Sequence, residues 1–286
     1  MSEYSVVKDL PKELWDSFLE KSSDGNFEQC FAYGEISKEA FPKASVARLA
    51  CMHGDTPVGI LQGIYSRYLG FGMTLNVIRS PVVNLKGKNF IRIAETLLKA
   101  LEEHAKRNRI IEARILVPDA WNIDEAFYSC GYSLVEKLNE YVVNLENGAS
   151  WLWKNISHNK RRNIKKAMKS GVEVVESRNM RHLMKFYSML KAAEKRRGFL
   201  SYPLPWFKAA LNIYDPNLSR IFLAYWNGKA VSGVFTVIHN KTVFALAAGS
   251  FSEGWKVRPN DILHWKVMEW ACQKGYSWYH ICLLYT

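Results

Sequence analysis

The 286-residue sequence has few cysteines and no long apolar run. Its five cysteines lie far apart and no two form a Cys-x-x-Cys pair, so neither a zinc site nor a disulfide framework is indicated. The opening residues lack the basic and apolar regions of a signal peptide, and no stretch approaches the roughly 18 apolar residues of a membrane span. These absences exclude a disulfide-stapled secreted protein and an integral membrane protein. We therefore expect a cytoplasmic protein with reduced thiols.

Acidic residues are scarce in the second half of the chain. Residues 150–286 contain 22 lysines and arginines against 7 acidic residues, whereas residues 1–149 contain 17 against 20. The net charge of +12 therefore arises entirely from the second half. Such asymmetry indicates a polyanionic partner for that half, which could be nucleic acid, a nucleotide-linked substrate or an anionic membrane surface. A solvated basic face without a partner is the alternative.

Two series of predicted elements follow one another in the same order. The first half is predicted to contain helices at 11–21 and 31–41, strands at 45–53, 58–69 and 73–83, a helix at 88–107, a strand at 110–117, a helix at 123–130 and a strand at 132–146. The second half is predicted to contain a basic helix at 152–169, the strand "GVEVVES", helices at 179–196 and 204–213, strands at 220–226, 231–239 and 242–250, a helix beginning near Pro259 and a strand at 276–285.

The repeat predicts two domains of one mixed α+β fold, spanning 1–148 and 149–286. Each is expected to be a mostly antiparallel sheet flanked by helices, and the 48% hydrophobic content allows large cores. The turn signals "GDTP" and "NGKA" join matching strand pairs in the two copies. The first copy continues past its fifth strand with a helix and a long strand, whereas the second stops at Thr286. The second domain is therefore expected to be shortened.

The run "RYLGFG" (67–72) fits the Arg-x-x-Gly-x-Gly pattern with which acetyltransferases of the GNAT superfamily hold the pyrophosphate of acetyl-CoA. In those folds the pyrophosphate loop lies between a strand and the following long helix, where backbone N–H groups meet the phosphates. Here the run lies between two predicted strands, where its glycines suit a hairpin turn. The segments that enter the long helices, 79–89 and 249–261, lack the pattern. We interpret the match as a coincidence.

Longer motifs resemble the Fem-type family of peptidoglycan-bridge aminoacyltransferases. "SWLWKNISHNKRRNIKKAMKSGVEVVES" (150–177) is similar to the opening of that family's second domain. "FYSMLKAAEKRRGFLSYPLPWF" (186–207) resembles its "R-x-G-F…P-x-x-[FY]F" segment, and 249–280 resembles its "P-N-x-L-L-x-W…A-x-x-x-G-x-x-x-Y-D" run. In the first half, "IRSPVV" (78–83) resembles an "R-G-P-v" element and "FEQCFAYGEISK" (27–38) a "Q-S-x-x-W-G-x-x-K" element. Their order extends along nearly the whole chain.

The resemblance implies two GNAT-like domains and transfer of an amino acid from aminoacyl-tRNA to an amine of a cell-wall precursor. It implies substrate-binding roles for one set of residues: Lys38, Arg79, Arg196, Arg197, Phe199, Tyr202 and Trp206. Three departures from the family pattern stand out. Ser37 occupies the position of the family's first-domain lysine, with Lys38 next to it; His280 replaces an aspartate; and the C-terminal segment, with a lysine implicated in the reaction, would follow Thr286.

The strongest candidates for binding a nucleic acid or another anion lie on the predicted basic helix: Lys160, Arg161, Arg162, Lys165, Lys166 and Lys169. Six cations with no acidic residue at i±4 within the predicted helix repel one another unless a counterion is present. A second cluster comprises Lys195, Arg196 and Arg197, next to Phe199 and Tyr202. Guanidinium groups suit phosphate oxygens and aromatic faces suit nucleobases. The alternatives are a solvated helix face and cations that stabilise a helix C-terminus.

The remaining residues indicate no metal and no resident cofactor. Five histidines lack metal-ligand spacing: His158, His182, His239, His264 and His280. No Gly-x-Ser-x-Gly or His-Glu-x-x-His motif occurs, which is consistent with aminolysis of an ester without a covalent enzyme intermediate. Glu112, on a strand like the base-bearing strand of some acetyltransferases, is expected to face solvent or a basic neighbour. The tryptophans, Trp255 included, are expected mostly in the core.

Three hypotheses for the function stay open. The first is the Fem-type aminoacyltransferase, with aminoacyl-tRNA and a nucleotide- or lipid-linked acceptor as partners and peripheral membrane contact allowed. The second is a GNAT-like N-acyltransferase that uses acetyl-CoA as donor in polysaccharide or envelope modification. The third is a non-catalytic anion-binding protein.

Overall fold

The computed structural model describes residues 4–68, 72–84, 88–137, 139–215 and 217–281. The chain divides into two compact units, Met1–Lys137 and Leu138–Thr286. The dividing point therefore precedes the 148/149 boundary expected from the sequence. Each unit has its own sheet and hydrophobic core. No helix in the described ranges is long and apolar enough to cross a membrane.

In its described residues, the first unit contains a six-stranded mixed sheet and four α-helices. Its elements are β1 (Ser5–Lys8), α1 (Lys12–Lys21), a 3₁₀ turn (Phe27–Gln29), α2 (Phe31–Ala40), β2 (Ala44–His53), β3 (Thr56–Tyr68), β4 (Gly72–Ile78), β5 (Val82–Val83), α3 (Lys88–Arg107), β6 (Ile110–Leu116), a 3₁₀ turn (Asp119–Trp121) and α4 (Asp124–Ser129). The strand order is β1-β2-β3-β4-β6, with β5 paired to β3. All these pairs are antiparallel except β4–β6, which is parallel.

Helix α3 covers one face of this sheet because its apolar residues recur at helical spacing. Ile93, Leu97, Leu98 and Leu101 are fully buried against residues of β2, β3 and β4. A buried side chain of this size stabilises the fold by about 1.5–3 kcal/mol relative to leaving it exposed. The helix predicted over 88–107 and the strand predicted over 110–117 are thus confirmed as α3 and β6.

The strand predicted over 73–83 is interrupted. Strand β4 ends at Ile78, Arg79 has a left-handed backbone (φ 48°), and the Ser80–Pro81 peptide is cis before β5 begins. Gln29 bridges this interruption: its Nε2 donates to the Gln62 carbonyl and to the Ile78 carbonyl, both at 2.9 Å, and its Oε1 accepts from the Gln62 N–H at 2.6 Å. These bonds satisfy buried backbone groups that the sheet ladder leaves open.

The second unit also contains a six-stranded mixed sheet. Its elements are β7 (Tyr141–Asn144), α5 (Gly148–Asn155), α6 (His158–Lys169), β8 (Glu173–Ser177), α7 (Met180–Arg197), α8 (Leu204–Ile213), β9 (Ser219–Trp226), β10 (Lys229–His239), β11 (Thr242–Ser250), a 3₁₀ turn (Ser252–Val257), α9 (Pro259–Gln273) and β12 (Trp278–Ile281). The strand order is β7-β12-β11-β10-β9-β8. Only β11 and β12 pair in parallel.

Two segments of the second unit differ from the prediction. The expected helix over 152–169 is two helices, because Ile156 is extended (ψ 150°) and Ser157 caps α6 by accepting a hydrogen bond from the Lys160 N–H at 3.3 Å. The strand predicted to close the first domain is shortened to β7, which pairs with β12 in the second sheet. The last predicted strand is described only as β12, since residues 282–286 lie outside the described ranges.

Helix α7 lies directly on β11. A side chain at Gly249 would place its Cβ about 2.5 Å from the Leu190 Cα and the Met189 carbonyl carbon. Only glycine allows this approach of helix backbone to strand backbone. The opposite face of the sheet packs against α9 through residues such as Leu263 and Val267, which are buried.

Candidate functional site

Helix α6 presents a basic surface in the second unit. Ile164 and Ala167 are buried in the core and orient the helix, so the opposite side faces solvent. Seven residues on and just after this helix line an open depression of about 460 Å³: His158, Arg161, Arg162, Lys165, Lys166, Lys169 and Ser170. Five of the six predicted anion-binding cations therefore share one surface, which we call the α6 basic face.

The sixth cation, Lys160, points elsewhere. Its Nζ lies 2.7 Å from Oδ1 of Asp261 at the start of α9, and Asn163 donates to the other Asp261 oxygen at 3.2 Å. This ion pair joins α6 to α9 and removes Lys160 from the lining of the depression. Lys160 stays 64% exposed in this ion pair, so its anion-binding role stays a prediction, separate from the lining of the depression.

The cations of the α6 basic face are only partly engaged. Arg161 donates to the carbonyl oxygens of Trp153 and Lys154 at 3.1 and 2.6 Å, and Arg162 donates to Asn159 Oδ1 at 2.9 Å. These partners are neutral. Among the described residues, no carboxylate lies within ion-pair distance of Lys165, Lys166 or Lys169, all of which are exposed. The face thus keeps its positive charge available for an external anion.

A second basic position lies where the end of α7 meets β11 and the 3₁₀ turn that follows β11. Arg196, in the last turn of α7, donates from Nη2 to the Ser250 carbonyl at 3.2 Å and from Nη1 to the Ala192 carbonyl at 3.4 Å. Its Cζ lies 4.7 Å from the ring centre of Trp255, a cation–π distance. The Trp255 indole N–H donates to Ser250 Oγ at 3.1 Å. The guanidinium is therefore held in place while its side chain remains exposed.

Trp255 was expected in the core, and this expectation is wrong. The side chain is 43% exposed and covers Arg196. The sequence signal was available: Trp255 follows Gly254 in a polar segment with no apolar periodicity. A tryptophan in such a segment is more typical of the protein surface than of the core.

The loop after α7 is held by a buried carboxylate that the sequence did not single out. Glu194 is 5% exposed; its Oε1 accepts from the Ser201 N–H at 2.8 Å and its Oε2 accepts from Lys191 Nζ. Gly198 ends the helix in the left-handed conformation (φ 74°). Two further predicted residues lie in or beside this loop: Arg197 is exposed in the last turn of α7, and Phe199 is partly buried.

Trp206 does not lie where substrate contact was predicted. It is fully buried, and Tyr202 stacks on it with ring centres 4.1 Å apart. An aromatic ring with no exposed surface cannot present a face to a ligand. The direct substrate contact predicted for Trp206 is therefore corrected to support of Tyr202, which is partly exposed.

The two predicted substrate residues of the first unit have different surroundings. Arg79 is buried (7% exposed), forms an ion pair with Glu28, and its carbonyl accepts from Asn26 Nδ2 at 3.0 Å. This burial corrects the predicted binding role to a structural one. Lys38 is exposed and lies 3.0 Å from Glu35, which also accepts from Arg48 at 2.8 Å.

The described residues contain no group of three or more histidine, cysteine or acidic side chains that could hold a metal ion. Burial raises the pKa of the Cys30 thiol and raises that of Cys51 to about 11, so neither supplies a thiolate at neutral pH. His280 is buried beside Phe244, with Nε2 3.2 Å from Glu140 Oε2. Glu112 is exposed and paired with Arg114, as expected for a carboxylate that faces solvent or a basic neighbour.

The run "RYLGFG" lies where β3 turns into β4. Tyr68 pairs with Gly72, and Arg67 pairs with Met73, while residues 69–71 lie outside the described ranges. The run therefore connects two antiparallel strands and does not precede a long helix. The interpretation of the acetyl-CoA pattern as a coincidence agrees with this position.

Each sheet combines antiparallel strands with one parallel pair, and a long helix connects the two strands of that pair. This repeated arrangement defines a tandem GNAT-like fold, and comparisons with known proteins confirm it. Residues 154–283 match the family model described as acetyltransferase (GNAT) domain. The solved structure of FemX superposes with a TM-score of 0.77 at 14% identity, covering 96% of this chain and 88% of that one.

A tandem GNAT protein from the clavulanic acid biosynthesis pathway superposes with a TM-score of 0.57 at 12% identity, covering 98% of this chain and 89% of that one. In sequence, the chain is 23% identical over 118 residues to the UDP-N-acetylmuramoylpentapeptide-lysine N(6)-alanyltransferase of Weissella viridescens. That alignment spans 41% of this chain and 35% of the relative. The resemblance to Fem-type proteins carried by the sequence motifs is thus confirmed.

Proposed function

We propose that this chain is a Fem-type aminoacyltransferase that acts in the cytoplasm and moves an amino acid from aminoacyl-tRNA to an amine of a peptidoglycan precursor. The named relative transfers alanine to a lysine of a UDP-linked muropeptide, and FemX shares the fold of both units. The observation that carries the proposal is the α6 basic face, whose lysines have no acidic partner among the described residues.

The proposed reaction is aminolysis of an ester. The amine nitrogen of the acceptor attacks the aminoacyl carbonyl carbon, an amide bond forms, and the bond to the ribose oxygen of the tRNA breaks. The proton lost by the amine ends on that ribose oxygen, so that the products are an amide and a free hydroxyl. No enzyme nucleophile is required, and the protein contributes by holding the two substrates in a reactive geometry.

The residues divide into two proposed roles. The α6 basic face would contact phosphates of the tRNA, because its exposed lysines act as flexible point charges on a polyanion. Arg196 would contact phosphate oxygens of the nucleotide-linked acceptor, since its guanidinium is held by Trp255 and Ser250 and its N–H groups can donate to those oxygens. Tyr202 and Phe199, next to Arg196 in the chain, would offer aromatic surface to the base.

The test compares two variants that lose the same charge. One is Lys165→Gln/Lys166→Gln/Lys169→Gln; the matched control is Lys208→Gln/Lys229→Gln/Lys274→Gln, three exposed lysines of the same unit that do not line the depression. Binding of bulk tRNA is measured between about 50 and 200 mM salt. Each lost phosphate contact lowers the slope of log affinity against log salt by about 0.7–0.9.

We expect the α6 variant to lose roughly 2 to 3 units of slope and the control to lose little. Equal behaviour of the two variants would overturn the role of the α6 basic face. Thermal stabilisation by acetyl-CoA alone, with no response to tRNA or to a UDP-muropeptide, would favour the acetyl-CoA donor instead. Binding of tRNA and muropeptide without transfer of a labelled amino acid would favour the non-catalytic anion-binding protein.

A further inference from the structure

Helix α7 presents a further basic surface in the second unit. The helix contains six lysines and arginines but only one acidic residue, Glu194, whose side chain is buried. Seven of its exposed residues lie within about 140° of one another around the helix axis, at 3.6 residues per turn. We call this surface the α7 outer face, and its residues are Met180, Arg181, Met184, Lys185, Ser188, Lys191 and Lys195.

Three cations of the α7 outer face have no acidic partner. Among the described residues, no carboxylate lies within ion-pair distance of Arg181, Lys185 or Lys195. The exposed surface of α3 differs, because the pairs Glu102–Lys106 and Glu103–Arg107 balance charges on that helix itself. The α7 outer face therefore keeps its positive charge available for an anionic partner.

Exposed methionines lie among these cations. Met180 and Met184 are 42% and 43% exposed, and residues four positions apart are neighbours on one side of a helix. The depression beside α6 differs, since every residue that lines it is polar. A helix with apolar residues among lysines and arginines is typical of contact with an anionic bilayer. The cations of such a helix meet the headgroups, and its apolar side chains enter the boundary with the acyl chains.

We propose that the α7 outer face docks onto an anionic lipid bilayer, with its cations at the lipid phosphates and its two methionines below them. Arg181 and Lys195 lie about 21 Å apart along the helix axis, at a rise of about 1.5 Å per residue. The cations can therefore meet several headgroups at once. The contact is peripheral, reversible and separate from amino-acid transfer, and it concentrates the chain at the membrane surface.

The first test measures co-sedimentation of the full chain with vesicles of phosphatidylglycerol and phosphatidylcholine in a one-to-two ratio, at about 0.1 M salt. The charge variant is Arg181→Gln/Lys195→Gln. Each cation near an anionic bilayer contributes about a factor of five in affinity, so we expect roughly 25-fold weaker binding. The matched control, Lys241→Gln/Lys274→Gln, removes two exposed lysines of the same unit outside α7 and should lose little affinity.

The second test separates a bilayer from other polyanions. Met180→Ser/Met184→Ser keeps every charge of the α7 outer face and removes the apolar pair. We expect several-fold weaker binding to the same vesicles, because serine gains nothing at the acyl boundary, and unchanged binding of bulk tRNA. Vesicles of phosphatidylcholine alone should not bind the natural chain. Circular dichroism checks that both variants keep the fold.

Four outcomes would overturn the proposal. The natural chain could fail to bind the mixed vesicles, the charge variant could bind them as its control does, or the methionine variant could bind them as the natural chain does. The charge variant could also lose affinity for bulk tRNA while it keeps its affinity for vesicles, which would assign the α7 outer face to nucleic acid. The vesicle results do not depend on amino-acid transfer, so they leave the proposed function to its own test.

Discussion

The two units share the order of five strands, β1-β2-β3-β4-β6 in the first and β8-β9-β10-β11-β12 in the second, but they differ in the residues that fill the interior. In the first unit, charged groups lie inside: Arg48 and Arg79 are 5% and 7% exposed, and Glu28 is 5% exposed. In the second unit, Glu194 is the single buried carboxylate among the described residues, and no described lysine or arginine is buried. Cations of the second unit lie outside, where they can meet an external anion.

The difference follows from the continuity of one strand. In the second sheet, β10 and β11 pair from Ser232–Ser250 to His239–Thr242 with one register shift between Phe235 and Thr236, and helix α7 lies close to β11 at Gly249. In the first sheet, β3 pairs with β4 and then with β5, and the chain leaves the sheet between them. Gln29 and the Arg79–Glu28 pair lie at that interruption. An interrupted strand thus requires polar partners inside, whereas an unbroken one permits apolar packing.

The largest expected effect breaks the buried ion pair of the first unit. Glu28→Gln should leave the Arg79 guanidinium buried without its carboxylate and lower the free energy of unfolding by about 3–5 kcal/mol. Glu102→Gln, in an exposed pair with Lys106, should change the stability little, because solvent screens that pair. Hydrogen exchange of first-unit peptides measures both. A decrease in the free energy of unfolding below about 1 kcal/mol for Glu28→Gln would show that the Arg79–Glu28 pair does not stabilise the chain between β4 and β5.

The second prediction compares two glycines, one in each unit. Gly249→Ala should destabilise the second unit by about 3 kcal/mol or more. The new methyl group would overlap backbone atoms of α7, which cannot move away unless the whole helix shifts. Gly34→Ala meets the ends of Arg48 and Gln62 side chains, which can shift, so about 1–2 kcal/mol is expected in the first unit. Urea denaturation of the two variants checks the order, which equal or reversed losses would contradict.

The third prediction concerns acid sensitivity of the second unit. Burial, followed by the charge of Lys160, lowers the pKa of His264 to about 4, while its Nδ1 lies 2.6 Å from the Tyr279 hydroxyl. Because the folded-state pKa is below the unfolded value near 6.5, the unfolded chain binds the proton more readily. Stability should therefore decline as the pH falls from about 6.5 to 4, by roughly 2–3 kcal/mol in total.

His264→Gln should flatten this decline, because glutamine can accept from Tyr279 and does not titrate. His158→Gln, which changes an exposed histidine of the same unit, is the control and should retain it. Urea midpoints measured at several pH values between about 4 and 6.5 report the slope. Identical slopes for the natural chain and His264→Gln would contradict the assignment.

Much of the fold could be predicted because its elements are locally encoded. Helix α3 has apolar residues at helical spacing, and the strands on either side of "GDTP" and "NGKA" have clear turn signals between them. The cations of the α6 basic face could also be predicted, since a run of cations without an acidic residue at i±4 within the helix is a local property of the sequence. The prediction of one continuous helix over 152–169 was wrong, because the Ser157 side chain caps α6 and competes with helix propagation from α5.

Residues whose role depends on distant partners could not be assigned in this way. Arg79 matches a motif, yet its partner Glu28 comes from another part of the chain, and that pairing changes a predicted binding residue into a structural one. Lys160 similarly meets Asp261 from α9, and Trp206 lies beneath Tyr202. A motif match predicts which type of residue stands at a position, but it does not predict whether that side chain is exposed.

The sequence by itself determined the two copies of one fold, the resemblance to Fem-type proteins and the excess of positive charge in the second half. Each of these depends on local periodicity, on motif order or on counting charges. The tertiary structure alone decided which cations of α6 share one surface and where strand β7 pairs, because those outcomes depend on contacts between segments far apart in the chain. The free energy of burying a charge or pairing a strand is set by such contacts, and no local pattern contains it.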